Sequence, residues 1–401
     1  MGKACGFKYK RGYRLDRITK NQLISLSKND FKKEFGISCE YISLAPGRIN
    51  IIGEHTDYNL GLAMPIAIDR WICVLISKRE DSNFNICLSN FNKKSNIDLN
   101  SLVLDGKFND YVIACLKIVK DNFKINKGLN ILIKGNIPIG FGVSSSAALE
   151  VSLLAGLLKA YDIKHDLSLI IMLSNSVENN YLGINSGILD QYASLYSKKN
   201  EPLLIDFSNS THVYVENNIS NSEWVLINSM VNRELVNSKY NERVKECSKG
   251  LILINKKSHS KKNMNELTVE DLDLIKDKKI LFNRLKHVIL ENKRVKLMKN
   301  EIKKGNLVEI GRLLNESHSS LTNLYQVSCD EIESIINFSS ACSGFYGGRI
   351  MGGGFGGCTL SLVSKECLDV FIKDVISLFY DKYQYSPEVE VVKFSDGLEL
   401  K

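Results

Sequence analysis

The stretch from 129 to 161 constrains the fold of this chain more than any other. Residues 129–134, Leu-Asn-Ile-Leu-Ile-Lys, read as a strand. Pro138-Ile139-Gly140-Phe141-Gly142-Val143 then turns the chain. From 144 to 161, Ala147, Ala148, Val151, Leu154, Ala155 and Leu158 recur on one face of a helix. A strand that passes through glycines directly into a helix offers free N–H groups and the positive end of a dipole, and glycine lets the backbone curl close around an anion. Ser144 stands where a helix N-cap is expected, and Ser145 or Ser146 could give a hydroxyl to Mg²⁺. The loop is not a Walker A, since no Gly-Lys-Ser/Thr follows, and neither the HRD nor the DFG of protein kinases occurs. On these residues alone, a merely capped helix remains the alternative.

The rest of the chain predicts a mixed α and β protein, because strand and helix patterns interleave in both halves. A short amphipathic helix is expected over 22–35. Residues 40–52 read as a strand, a Pro-Gly break and a second short strand, and 62–78 as further strand. Helical spacing returns over 110–125. A strand at 203–207 is broken near Asn209–Thr211, and the domain boundary is placed there or shortly after, near 208–218, giving a basic tail 1–20 and domains 21–210 and 211–401. Further strands are expected near 224–229, 345–351, 358–363 and 387–394, and Lys/Ser-rich 256–262 as an exposed loop or helix end.

With 401 residues, 44% of them hydrophobic and 24% charged, the chain is neither disordered nor a disulfide miniprotein. No apolar run approaches the roughly 18–20 residues of a membrane span. Of the net charge of +8, +6 falls in residues 1–20, so a basic body for nucleic acid is not indicated. The ten cysteines form no CxxC pair and sit in apolar settings, as expected of free thiols in a reducing cytosol. The N-terminus has no apolar core of a secretory signal.

Two other regions carry chemistry. Glu54, His55, Thr56 and Asp57 stand consecutively after an apolar strand and Gly53. Unpaired carboxylates in a core strand cost several kcal/mol, so this is either a loop rimming a cleft or a solvated turn. Adjacent Glu, His and Asp suit a polyhydroxylated ligand. His55 has no second His at metal-ligand spacing. Near the other end, eight glycines lie between Gly344 and Gly357, directly before the apolar run Thr359–Val363. That density implies close backbone approach, to a ligand or to another chain segment.

In this order, the strings Gly47–Asn59 (GRINIIGEHTDYN), Pro138–Ala148 (PIGFGVSSSAA) and Gly347–Thr359 (GGRIMGGGFGGCT) resemble the GHMP small-molecule kinases, and within them the galactokinase branch. The likeness covers roughly 35–400 and includes Gly187-Ile188-Leu189-Asp190-Gln191, Tyr240-Asn241-Glu242-Arg243 and His318-Ser319-Ser320-Leu321 with Tyr325. Leu189 stands where Met is usual, Val143 where Leu is, and Met351 where Thr is common; none changes a reacting group.

The resemblance implies an α+β, two-domain fold: an N-terminal mixed sheet with helices and a C-terminal ferredoxin-like α+β domain, the active site lying in the cleft between them. It implies ATP-dependent phosphorylation of galactose at its anomeric hydroxyl, the entry step of galactose catabolism, by a monomer in the cytoplasm. Asp190 would be the catalytic base and Arg48 its electrostatic partner. Glu54, His55, Thr56, Asp57 and Tyr240 would bind the sugar, and Gly140, Phe141, Gly142, Val143, Ser144, Ser145 and Ser146 the nucleotide. Ser146 and Glu178 would hold Mg²⁺. Without the resemblance, Asp190 is a helix-end aspartate and Glu178 a surface carboxylate.

Three other readings compete. Another sugar-1-kinase, for N-acetylgalactosamine or arabinose, is disfavoured by Ser186–Asp190 and by Gly353-Gly354-Phe355. A non-catalytic sugar sensor is disfavoured by the intact Ser144–Ala148. A nucleic-acid binder rests on residues 1–20 alone.

Overall fold

The computed structural model describes residues 18–106, 109–184, 186–231 and 236–401. Most of the expected basic tail lies outside the described residues. Lys20 is not part of a tail: it opens the helix Lys20–Phe35, capped by reciprocal Thr19 and Gln22 bonds, and its ammonium pairs with Glu399.

The first half is built on a six-stranded sheet in the order Glu399–Leu400, Tyr41–Asn50, Pro65–Lys78, Leu129–Gly135, Asn83–Leu88, Lys93–Asp98. Neighbours are antiparallel except Asn83–Leu88 beside Leu129–Gly135, so the sheet is mixed. Side chains alternate along Pro65–Lys78. Val74 and Ile76 enter a core with the helices Asp110–Asn122 and Ser145–Ala160, while Cys73 and Leu75 enter one with Leu23 and Phe31 of Lys20–Phe35. Helix Ser145–Ala160 buries twelve of its sixteen residues, so it is the central helix of this half and holds the loop before it in place.

The expected break at Pro46-Gly47 does not end a strand. Tyr41–Asn50 is continuous, and the register shifts between Pro46 and Arg48. The cause lies opposite. Arg48 N–H donates to Val143 O at 3.0 Å, and a Cβ on Gly47 would stand 2.6 Å from that same oxygen. The bulge therefore seats the glycine loop against the strand.

The second half has a four-stranded antiparallel sheet in the order Phe345–Met351, Cys358–Ser364, Ser222–Asn228, Glu388–Val392. Helices Asp330–Ala341 and Leu368–Tyr383 share a core with one of its faces, through Val225, Ile227 and Val363. Helices Lys279–Lys304 and Leu307–Ser320 share one with the other, through Leu226 and Leu360. This is the ferredoxin-like arrangement expected. A third sheet joins Leu62–Ala63, Leu203–Asp206 and Thr211–Tyr214. The break at 209–211 is its hairpin turn, so the expected boundary at 210/211 falls within that sheet. The second half's own sheet begins at Ser222, and Glu399–Leu400 returns to the first.

One apolar cluster crosses the seam. Ile49, Ile51, Ile52, Phe141 and Val143 from the first half pack with Leu226, Met351 and Leu360 from the second. The nine cysteines among the described residues are free. No helix among the described residues is long and apolar enough to cross a membrane.

Candidate active site

At the seam, Arg48, Asp190 and the glycine loop form a closed circuit. Arg48 is 6% exposed; its Nε donates to Asp190 Oδ1 at 2.7 Å and its Nη1 to Gly142 O at 2.7 Å. The Ser144 hydroxyl donates to Asp190 Oδ2. Both carboxylate oxygens of Asp190 are thus held, and its side chain remains about one third exposed. Asp190 lies in the first turn of the helix Leu189–Tyr196. Sequence reasoning paired Arg48 with Asp190 across 142 residues only through family resemblance; here the two meet in one ion pair.

The loop itself turns on positive φ at Gly140 (86°) and Gly142 (67°). Phe141 and Val143 are each 2% exposed and anchor the loop in the seam core, so what they offer a ligand is backbone. Gly140 and Ser145 are exposed and Ser146 half-buried at the helix start. Ser144 sits at the N-cap position but makes no side-chain cap bond, because its hydroxyl is committed to Asp190.

The polar turn after Gly53 is not solvated. Glu54, His55 and Thr56 are 7%, 4% and 0% exposed. Glu54 Oε1 accepts from Gly352 N–H at 2.8 Å and from Arg349 Nη2 at 3.2 Å. His55 adopts a left-handed backbone (φ 61°), and its Nδ1 lies 2.8 Å from Tyr58 Oη. Burial, reinforced by His287, Arg243 and Arg349, pushes His55 down to about 3, so its ring is neutral. Thr56 Oγ1 bonds the carbonyls of Gly53 and Leu62 at 2.9 and 2.8 Å; its hydroxyl ties the turn together. Asp57 is half-buried and pushed up to about 7, chiefly by desolvation and then by the charges of Asp190 and Glu54. The Tyr240 ring lies 5.5 Å from the His55 ring, tilted to it, and 5.3 Å from that of Tyr58, edge-on. Of the five sugar-site candidates, Thr56 is 0% exposed with its hydroxyl spent on the turn's own carbonyls, while Glu54, His55, Asp57 and Tyr240 are gathered in one place, with Asp57 and Tyr240 within reach of the Asp190 charge.

What holds this turn was not anticipated. Helix Lys279–Lys304 grips it from the second half. Glu291 Oε1 accepts from Gly53 N–H at 3.0 Å and from the Ser317 hydroxyl at 2.7 Å, while Arg294 Nε meets Glu291 Oε2 at 2.7 Å. Desolvation opposes the charge on Glu291, but Arg294, His287 and Arg349 outweigh it and bring it to about 2. His287 Nε2 lies 3.2 Å from Glu54 O, and Asn292 Oδ1 accepts from Leu62 N–H at 2.8 Å. The sequence did carry a signal: Glu291 stands in the apolar stripe Leu285, Val288, Val295, Met298, Ile302, where an unpaired carboxylate would be costly.

Glu178 is 7% exposed, not a surface carboxylate. It lies in a widened turn, Val177–Tyr181, and its Oε2 accepts from Ser186 Oγ and from Gln191 Nε2 at 3.0 Å. Burial raises it, against those two donors, and the Asp190 charge raises it further. Gln191 Nε2 also reaches Glu150 Oε2 at 3.3 Å, and burial with the Glu178 charge pushes Glu150 up to about 10. Glu178, a buried carboxylate, and Ser146, in the first turn of helix Ser145–Ala160, carry oxygen donors of the kind that suit a hard divalent cation completed by phosphate oxygens and water. No cluster of three or more His, Cys, Asp or Glu suited to a metal occurs among the described residues.

The glycines of 344–357 serve mostly chain-to-chain approach. A Cβ on Gly347 would stand 2.1 Å from Gly311 O, and one on Gly354 2.5 Å from Val327 O. Gly352 reaches the polar turn through its N–H to Glu54.

Fold and site together define a small-molecule kinase of the GHMP class. Models described as "GHMP kinases N terminal domain" and "GHMP kinases C terminal" match residues 110–198 and 298–380. The mevalonate kinase of Methanococcus jannaschii shares the fold, with a TM-score of 0.65 at 18% identity over 90% of this chain and 99% of that one. The match narrows further. A "Galactokinase galactose-binding signature" covers residues 29–78. The Clostridium tetani galactokinase is 37% identical over 388 residues, 94% of this chain and 97% of that one. The Staphylococcus carnosus galactokinase is 34% identical, covering 94% and 99%. The crystal structure of Lactococcus lactis galactokinase complexed with galactose superposes with a TM-score of 0.88 at 32% identity, over 94% of this chain and 99% of that one. The chain belongs to the galactokinase family.

Proposed function

We propose that this protein transfers the γ-phosphoryl group of ATP to the anomeric hydroxyl of D-galactose, yielding galactose 1-phosphate and ADP. The observation that carries this reading is Asp190, clasped by Arg48 and Ser144 at the glycine loop and set beside the Glu54–Asp57 turn. Base, phosphate cradle and hydroxyl-binding carboxylates occupy one seam.

Phosphoryl transfer needs an aligned hydroxyl, a group to receive its proton, and positive charge around the moving phosphoryl. Asp57, Glu54, His55 and Tyr240 bind the sugar and aim the anomeric hydroxyl at Asp190. A carboxylate is a weak base toward a sugar hydroxyl, so Asp190 takes the proton late, as the new P–O bond forms. Arg48 pairs with the Asp190 carboxylate and stabilises charge shifting onto the nucleophile. The N–H groups from Gly140 to Ser146 and the dipole of helix Ser145–Ala160 receive the phosphates. Ser146 and Glu178 would hold Mg²⁺, which when bound neutralises phosphate charge. The free cysteines support a reducing, cytoplasmic setting.

The test is ADP release measured across galactose, N-acetylgalactosamine, arabinose, glucose and mevalonate. Turnover with galactose at least tenfold above the others is expected. Equal rates with galactose and glucose would overturn the assignment, and no turnover with any sugar would favour the sensor reading.

A further inference from the structure

Ser144 combines two features that are unfavourable taken singly. Its backbone is left-handed (φ 59°, ψ 53°), a conformation that an L residue other than glycine adopts at a cost. It also occupies the N-cap position of helix Ser145–Ala160 without making the side-chain cap bond for which serine is favoured there. The hydroxyl goes instead to Asp190 Oδ2.

The other oxygen of the same carboxylate is held by Arg48 Nε at 2.7 Å, and Arg48 is itself fixed to the glycine loop through Nη1 to Gly142 O at 2.7 Å. Arg48 N–H further donates to Val143 O at 3.0 Å. Gly142, Val143 and Ser144 are consecutive, so three successive loop residues set the position of one carboxylate. A single contact to Oδ1 would leave the carboxylate free to swing about its own side-chain bonds; contacts to both oxygens fix its plane.

We propose that Ser144 is a positioning residue for Asp190: its hydroxyl registers the base to the phosphate loop, and therefore to the phosphoryl group, instead of binding phosphate or capping the helix. This rests on the reading of the site as a sugar kinase. Its consequence is kinetic, because registering base against phosphoryl governs near-attack geometry more than ground-state binding. Ser145 and Ser146 are left as the serines that serve nucleotide and cation.

The test uses Ser144→Gly, which removes the hydroxyl while suiting the left-handed backbone, together with Asp190→Asn and the double variant. Ser144→Gly is expected to fold and to bind ATP and galactose within about threefold of the parent by calorimetry. Its kcat should fall about 10- to 100-fold. In the Asp190→Asn background the same change should cost less than about threefold, because the group it positions is gone. Additive losses in the double variant, a tenfold loss of ATP affinity, or an unchanged kcat would each overturn the proposal. Urea unfolding of the four proteins gives an arm that does not depend on turnover. Ser144 and Asp190 should couple by about fivefold or more in the unfolding equilibrium constant. Absence of that coupling overturns the contact itself. Coupling in a protein that phosphorylates no sugar would count against the kinase reading and leave the contact standing.

Discussion

Gly187 and Asp57 interlock: a Cβ at Gly187 would stand 1.9 Å from Asp57 Oδ2 and 2.6 Å from its Cγ. Space, not backbone angle, demands the glycine, since Gly187 is not among the residues with positive φ. The contact joins the segment leading to Asp190 to the polar turn, so sugar site and base are set against each other. Gly187→Ala must displace the Asp57 carboxylate. Charge-assisted hydrogen bonds contribute about 1.5–3 kcal/mol, so KM for galactose should rise at least tenfold while KM for ATP changes little. Steady-state kinetics in both substrates checks this; an unchanged galactose KM would show that the carboxylate is not used.

Asp57 gives the sugar site a pH dependence. Its carboxyl is pushed up to about 7, chiefly by burial and then by Asp190 and Glu54, against the opposing Tyr58 N–H. As an acceptor of sugar hydroxyls it works ionised, so galactose affinity should climb between pH 6 and 8 and level off above. His55 and His287, held near 3 and 4, stay neutral across that window. Stability runs the other way. The folded value lies above the ordinary 3.8 of an aspartate, so the contribution of Asp57 is full below about 4 and is lost as pH rises through 7. Asp57→Ala should weaken galactose use at least tenfold and flatten the affinity profile. Calorimetric titration from pH 5.5 to 8.5 decides; a flat profile in the parent contradicts the role.

Glu291 holds the turn from outside the site. Breaking a buried ion pair by removing one partner costs about 3–5 kcal/mol, and here Gly53 N–H and Ser317 lose their acceptor as well. Glu291→Ala should therefore unfold at much lower urea, with a loss of at least about 2 kcal/mol. Its folded value, about 2, lies below the ordinary 4.5 of a glutamate, so the parent keeps this stability above about 4.5 and loses it as pH falls through 2. Urea midpoints of parent and variant at pH 7 and near pH 2 measure both; a loss under about 1 kcal/mol at pH 7 would remove Glu291 from the clamp.

Glu178→Ala separates the cation from the sugar. Glu178 is buried and raised, with Ser186 and Gln191 as its donors. The variant should need at least tenfold more Mg²⁺ for half-maximal turnover, and should bind Mn²⁺ in the presence of ADP correspondingly more weakly, while galactose affinity by calorimetry holds. Unchanged Mg²⁺ dependence would take Glu178 out of the metal site.

The fold was legible where local pattern and tertiary role agree. The 129–161 unit, the helix over 110–125 and the strands of the second half appear in the sequence as strand, glycine and helical periodicity. Strands Asn83–Leu88 and Lys93–Asp98 were missed: Lys93–Asp98 is polar in five of its six residues and is a strand through pairing at the sheet edge, while Asn83–Leu88 is a short run whose apolar residues find their place only between Leu129–Gly135 and Lys93–Asp98. The Pro-Gly pair at 46–47 reads locally as a break, and only the approach of Val143 turns it into a bulge. Ser144 reads as an N-cap by position, and a carboxylate 46 residues away draws its hydroxyl elsewhere. Asp190 carries no local mark at all. The family motif named it, and its use depends on Arg48, which no spacing rule connects to it.

Asp190→Asn tests the chemical step. The amide keeps size and much of the hydrogen-bonding shape but cannot take the hydroxyl proton. General-base contributions run about 10²–10⁴-fold, and the loss of negative charge leaves Arg48, 6% exposed, without its ionic partner. The variant should fold, bind ATP and galactose within about tenfold of the parent, and lose at least about 10²-fold in kcat. The contrast with Asp57→Ala is the discriminating feature: there binding fails, here turnover does. Single-turnover quench is the right measurement, because product release can limit kcat and mask a slowed chemical step. Retention of more than about a tenth of the chemical rate would show that Asp190 only orients the hydroxyl. Arg48 would then carry the catalysis through charge stabilisation, and Arg48→Ala should be the more damaging change of the two.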